Sequence, residues 1–210
     1  MKKIVVFGAG GHAKVVIDIA LLMGYQVLAV FDDDNSKQGQ SVLGIPVVGN
    51  QQQLISFAQQ HEIHHFFVAL GHNALRLQLA QKFIAANLLP VTLIHPKATI
   101  AASANIGLGT VVMAGACINA DVIIGHQVII NTSAVIEHDC IVADGVHLAP
   151  TTALCGAVQV GQQTLIGVGA KVLPAITIGE QVMIGAGAVV INHIPSWQKV
   201  VGIPAKALGN

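Results

Sequence analysis

The sequence predicts two folded parts in series: a small parallel α/β unit, then a coil of very short parallel β-strands. Three observations predict this. Strand-like and helix-like segments alternate up to residue 95, the stretch from Ala98 to His193 repeats every six residues, and a glycine turn, FGAGGHA, directly follows the first strand. The alternation sets domains at 1–95 and 96–210, with Pro96 in LIHPKATI at the junction.

In the first part, β-branched and aromatic runs bounded by turn residues predict strands at 3–7, 26–31, 65–70 and 90–94. Helical spacing of apolar residues predicts helices at 12–23, near 51–60 and at 73–87. Such alternation builds a parallel sheet with crossover helices. Gly8, Gly10 and Ala13 hold the G-x-G-x-x-G/A spacing, and Asp32, Asp33 and Asp34 close the second strand. Glycines at such a turn let a pyrophosphate approach backbone amides at a helix start, while an acid takes the ribose hydroxyls or the base. There is room for about one mononucleotide-binding half, and His12 stands in the phosphate turn, so NAD is a poor fit. A nucleotide diphosphate linked to a sugar needs the same cradle and no second half. The bland reading is a tight strand-to-helix turn with no ligand.

In the second part, sixteen hexads run without a slip, from ATIAAS to AVVINH, and the third position is Ile, Val or Leu in every one. Neither the helical period of 3.6 nor the strand period of 2 produces this pattern. If each hexad is one side of a triangular prism, three make an 18-residue coil, and third-position residues point inward. Successive coils then stack about 4.8 Å apart, as neighbouring strands do. The repeat carries only Asp121, Glu137, Asp139, Asp144, Lys171 and Glu180 as charged residues, so a lone prism exposes a largely apolar surface and self-association follows.

Against that background the triplet Glu137-His138-Asp139 stands out. It fills positions four to six of its hexad, at a corner of the prism, and one coil of 18 residues after His138 comes Gly156. A base and a backbone amide are therefore stacked neighbours. Histidine is a competent proton acceptor at neutral pH, and an adjacent carboxylate, Asp139 or Glu137, can orient it and raise its basicity. A solvated corner is the alternative. Cys155, beside Gly156, is a rival nucleophile with no basic residue flanking it to form a thiolate. A histidine-bound metal is a further alternative, but His126, His138 and His147 are spaced by 12 and 9 and converge on no obvious point.

Composition excludes other classes. Lys+Arg equals Asp+Glu with no block of like charge, so nucleic acid is not an expected partner. Mean hydropathy is +0.69, yet the most apolar window, 15–31, is broken by Asp18, Gly24, Tyr25 and Gln26, so no membrane insertion is expected. The start, MKKIVVFGAGG, enters a glycine turn where a signal peptide would continue its apolar region, and Cys117, Cys140 and Cys155 form no CxxC pair. Both features point to a cytoplasmic chain with reduced thiols.

The segments FGAGGHAKVVIDIA, FDDD, VALGHNALR, NTSAVIEHDC, GVHLAPTTALCGAV and VVGIPAKAL, in this order, resemble the bacterial nucleotide-sugar acetyltransferases of the hexapeptide-repeat superfamily along essentially the whole chain. That group includes UDP-4-amino-sugar N-acetyltransferases, GDP-perosamine N-acetyltransferases and sialic-acid O-acetyltransferases. The resemblance implies a Rossmann-like α/β half domain followed by a left-handed parallel β-helix, an exception to the right-handed crossover rule. It implies a homotrimer and acetyl-CoA as co-substrate, with no metal. On this resemblance His138 is the general base and Asp139 the acid that raises its basicity, with Glu137 beside them in the catalytic triplet, and Gly156 donates its amide to the thioester carbonyl. Asn131, His147, Val168 and Ala186 line the acetyl-CoA cleft, although Ala186 stands where that family has glycine. Gly10, Gly11 and His12 hold the diphosphate and sugar, Asp32 and Asp33 the nucleoside, and Gly71 the sugar edge. Some relatives have Ser-Gly where this chain has Gly10-Gly11. The implied reaction is N-acetylation of a nucleotide-linked 4-amino sugar, UDP-linked in the first instance, for surface glycans, with N-acetylation of GDP-perosamine or O-acetylation of sialic acid as the alternatives.

Overall fold

The computed structural model describes residues 2–208. The chain divides into two compact units, Met1–Pro96 and Lys97–Asn210.

The first unit is a six-stranded sheet flanked by helices. Strand β1 (Lys3–Phe7) buries Ile4 to Phe7, as a central strand covered on both faces must. Helix α1 (Gly11–Leu22) buries Ala13, Val16, Ile17, Ile19 and Ala20, a broad apolar face at helical spacing. Next come β2 (Gln26–Phe31), β3 (Ser41–Val42), β4 (Ile45–Gly49) and α2 (Gln51–Gln60). The unit closes with β5 (His65–Val68), α3 (Asn73–Ala85) and β6 (Leu89–Pro90). The sheet order is β3-β4-β2-β1-β5-β6, parallel except for the β3–β4 hairpin. Helix α2 starts at a capping box in which Asn50 and Gln53 satisfy each other's backbone amides.

Two expectations need correction. The hairpin was not foreseen: Leu43 (φ 50) and Gly44 (φ 78) form its two-residue turn, and its short strands lack a clean alternation. The expected strand at 90–94 is two pieces, Leu89–Pro90 and Leu93–Ile94. Pro90 has no N–H to donate, and the pairing ends with Val91 N–H on Phe66 O at 3.1 Å.

The chain fills β1, β2 and β4 on one side of the sheet and then returns to β5 on the other side of β1. Strand order therefore reverses between β1 and β5. In open α/β sheets the crevice beyond the carboxyl ends of the strands at such a reversal is where ligands bind.

The second unit is a parallel β-helix of three faces. Each hexad contributes a two-residue strand at its second and third positions, and strands 18 residues apart pair in register, as in Ile118↔Ile136 and Ile136↔Leu154. Third-position residues fill the interior: Ile118, Ile136, Leu154 and Val172 are buried, as are first-position Ala116, Ala134, Thr152 and Ala170. Every sixth-position residue from Gly109 to Gly187 has a positive φ, whether glycine or, as at Asp121, Ser133 and Asp139, not. That left-handed residue turns the chain at each corner. Beyond the last hexad, Lys199–Val201 stacks on Met183–Ile184, and Lys206–Ala207 folds back on it.

Candidate functional site

His138 occupies the corner after Val135–Ile136, with its side chain 62% exposed. Its Nδ1 lies 2.7 Å from Asp139 Oδ2. A carboxylate only accepts, so Nδ1 carries the hydrogen and Nε2 of the neutral ring keeps its lone pair free. The hydrogen bond to Asp139 raises the imidazole pKa above 6.5 in spite of desolvation, and the charges of Asp139 and Glu137 raise it further. The left-handed turn at Asp139 (φ 60) accompanies this local contact.

The two acids of the triplet differ in role. Glu137 Oε2 accepts from Asn119 Nδ2 at 2.8 Å, so Glu137 acts on His138 through its charge while Asp139 holds the ring. Asn119 was missed from sequence, although it stands 18 residues before Glu137 at the same hexad position.

Gly156 packs against the imidazole. A Cβ built there would lie 2.6 Å from His138 Cε1 and 2.7 Å from Nε2, so any side chain would displace the ring. The next residue, Ala157, spends its N–H on His138 O at 2.9 Å. Among the described residues the N–H of Gly156 has no protein acceptor, and those of Val168 and Ala186 are in the same condition.

At another corner the same fifth-position amide is capped from within. His126 Nδ1 accepts from Leu108 N–H at 2.9 Å, and Asp144 Oδ1 accepts from His126 N–H at 2.7 Å. His126 thus carries its hydrogen on Nε2 and serves as a structural cap, the reverse of His138. His193 caps Thr177 N–H likewise, at 2.9 Å. His126→Ala is expected to lose about 1 kcal/mol of stability, seen as a melting temperature lower by about 2–4 °C, with kcat unchanged; thermal melting beside a turnover assay checks both.

Asn131 and His147 are brought together. Asn131 Oδ1 accepts from Thr132 N–H at 2.9 Å, which leaves Nδ2 to donate to His147 Nε2 at 3.2 Å. Both belong to the face of Ile129–Ile130 and His147–Leu148, and Val168 and Ala186 stack on the corner that follows it. One chain therefore carries two groups of candidate residues a full hexad apart: His138, Asp139 and Gly156 at one corner, and Asn131, His147, Val168 and Ala186 around another.

In the first unit, Gly8 (φ +107) lies so close to β5's end that a Cβ would meet Ala69 O at 2.6 Å. Gly10, Gly11 and Gly71 face open space, with no atom within 4 Å of an added Cβ. The glycine turn and the turn at Gly71 thus flank the crevice at the strand-order reversal. His12 is tucked inside; burial and then the charge of Arg76 lower its pKa to about 4, and its Nε2 has no partner. Asp32 is committed internally: Oδ2 accepts from Ala9 N–H at 2.7 Å and Lys37 Nζ at 2.9 Å, and Oδ1 from Asp34 N–H at 2.9 Å. Burial pushes its pKa up, but these bonds outweigh burial and lower it. Asp33 is exposed and accepts from Gln51 N–H at 3.0 Å and Gln51 Nε2 at 2.9 Å.

Cys140 donates its thiol to Cys155 O at 3.2 Å, and burial raises its pKa. Among the described residues no group of three or more His, Cys, Asp or Glu could hold a metal ion, and no helix is long and apolar enough to cross a membrane.

Residues 3–83 match the PglD N-terminal domain family. The chain is 40% identical over 119 residues to the UDP-N-acetylbacillosamine N-acetyltransferase of Bacillus subtilis, and the match spans about half of that relative's length, 52%. A histidine-to-asparagine variant of perosamine N-acetyltransferase from Caulobacter crescentus, solved with CoA and GDP-perosamine, is 40% identical with a TM-score of 0.95, covering 100% of this chain and 98% of that one. The acetyltransferase domain of PglB from Neisseria gonorrhoeae, solved with acetyl coenzyme A, is 40% identical with a TM-score of 0.91 over 99% of each chain.

Proposed function

The chain belongs to the bacterial nucleotide-sugar acetyltransferase family of the hexapeptide-repeat superfamily, and from that premise we propose that it acetylates the 4-amino group of a nucleotide-linked dideoxy sugar, with UDP-4-amino-4,6-dideoxy-N-acetylglucosamine as acceptor. Its fold class is that of the family, a Rossmann-like half domain followed by a left-handed parallel β-helix. The observation that carries the reading is the 2.7 Å bond from His138 Nδ1 to Asp139, with Gly156 against the ring.

Acetyl-CoA supplies an activated thioester carbonyl. The chain's own residues do the rest. A protonated amine cannot attack, so His138 Nε2 takes the proton as the nitrogen bonds to the carbonyl carbon. Asp139 keeps the ring in the required tautomer and steadies the imidazolium that forms. The Gly156 N–H meets the negative charge that develops on the carbonyl oxygen, and the proton on His138 is available to the departing thiolate. Gly10, Gly11, His12 and Gly71 hold the diphosphate and sugar, and exposed Asp33 reaches the nucleoside. Asp32, with three internal donors, supports the turn from beneath.

The separation of the two residue groups supports a homotrimer, in which one copy's Asn131–His147 face meets its neighbour's His138 corner. A cytoplasmic enzyme of surface glycan synthesis fits this reading. Full-length similarity to perosamine N-acetyltransferase supports a second acceptor, GDP-perosamine. Release of coenzyme A thiol from acetyl-CoA distinguishes them: the UDP-linked acceptor is expected to exceed GDP-perosamine at least tenfold in kcat/KM. The reverse order moves the assignment to GDP-perosamine, and no release with either rejects both.

A further inference from the structure

Arg76, in α3, is fully buried. Its guanidinium donates to Leu70 O and to Asn73 Oδ1, each at 2.9 Å. Burial lowers its pKa to about 9, which leaves it charged at neutral pH. A buried cation is costly to keep, so its position calls for a reason.

That position is the crevice. Leu70 follows β5 and packs on the glycine turn: a Cβ at Gly8 would lie 3.0 Å from Leu70 Cδ2. Asn73 opens α3, just past Gly71. Arg76 therefore ties together the two sides of the turn that faces the phosphate loop. Its charge also reaches that loop, since it contributes to holding His12 neutral. Lys37, another cation near the crevice, is neutralised by Asp32 at 2.9 Å.

We propose that Arg76 is a positioning residue for the substrate's diphosphate. It supplies a fixed positive charge beneath the glycine turn and holds the Leu70–Asn73 turn in place, acting through its field and the backbone without touching the ligand. This rests on the nucleotide-sugar reading of the first unit. A diphosphate diester carries two negative charges, and backbone amides alone offset them only in part. A preset buried charge completes the offset without a flexible side chain that must be ordered on binding.

The test is calorimetric or NMR titration of the full chain with UDP and uridine, and with GDP and guanosine. Arg76→Gln removes the charge, and Arg76→Lys keeps it. Asn73→Asp places a carboxylate against the guanidinium at a helix start, where an acid is well tolerated, and so cancels the charge even if Arg76→Gln fails to fold. The expected result is diphosphate affinity lower by about 10-fold or more in Arg76→Gln and Asn73→Asp, with Arg76→Lys retaining most of it. Nucleoside affinity should stay within about twofold of wild type, because a neutral ligand does not sense the charge. Equal weakening for nucleoside and diphosphate would reduce Arg76 to a structural brace. Unchanged diphosphate binding in Asn73→Asp would overturn the charge argument. Wild type that binds neither UDP nor GDP would remove the nucleotide reading of the first unit, and this inference with it.

Discussion

His138→Ala is expected to lower kcat for acetyl transfer by about a thousandfold while KM for both substrates moves little. The ring is exposed at its corner, so its loss leaves no cavity and the fold should be untouched. What disappears is an imidazole whose Nδ1 is held by a carboxylate and whose Nε2 is free. His126 and His147 cannot replace it. The first spends Nδ1 on Leu108 N–H, and the second accepts from Asn131 on a different face. Thiol release under saturating substrates, beside thermal melting, measures both parts of the expectation.

Gly156→Ala is expected to be nearly as damaging, by about a hundredfold in kcat. The new methyl would stand 2.6 Å from Cε1 and 2.7 Å from Nε2 of His138. An exposed ring can swing away cheaply, so the melting temperature should hardly change. The displaced ring, however, no longer presents Nε2 beside the Gly156 amide, and misplacement of a base by about 1 Å is enough to cost two orders of magnitude. A kcat within threefold of wild type would mean that the stacking of Gly156 on His138 has no part in the reaction.

Much of this was legible because a strict hexad turns sequence spacing into spatial adjacency. Counting 18 from His138 finds Gly156, and the same count from Asn119 finds Glu137. Stacking does not specify rotamers, so spacing left Asp139 and Glu137 equivalent and could not separate His126 from His138. Those differences arise from which backbone amide each side chain meets. In the first unit, the run of aspartates announced a functional strand end, yet Asp32 turned out to be committed to Ala9 N–H, Asp34 N–H and Lys37. Arg76 gave no sign, since an arginine four residues into a helix reads as surface until the fold buries it. The β3–β4 hairpin escaped because its turn, Leu43-Gly44, needs left-handed φ at a leucine.

The pH dependence of kcat for thiol release, in wild type and His138→Ala, bears most directly on the base. Only the neutral imidazole can take the proton from the acceptor, so wild-type kcat should rise with pH through an acid limb. Because the bond to Asp139, together with the nearby carboxylate charge, raises the pKa of His138, that limb should lie above pH 6.5. It should be missing from the small residual rate of His138→Ala. The same limb in His138→Ala, at an undiminished rate, would place the base elsewhere and leave Glu137-His138-Asp139 as a solvated corner of the coil.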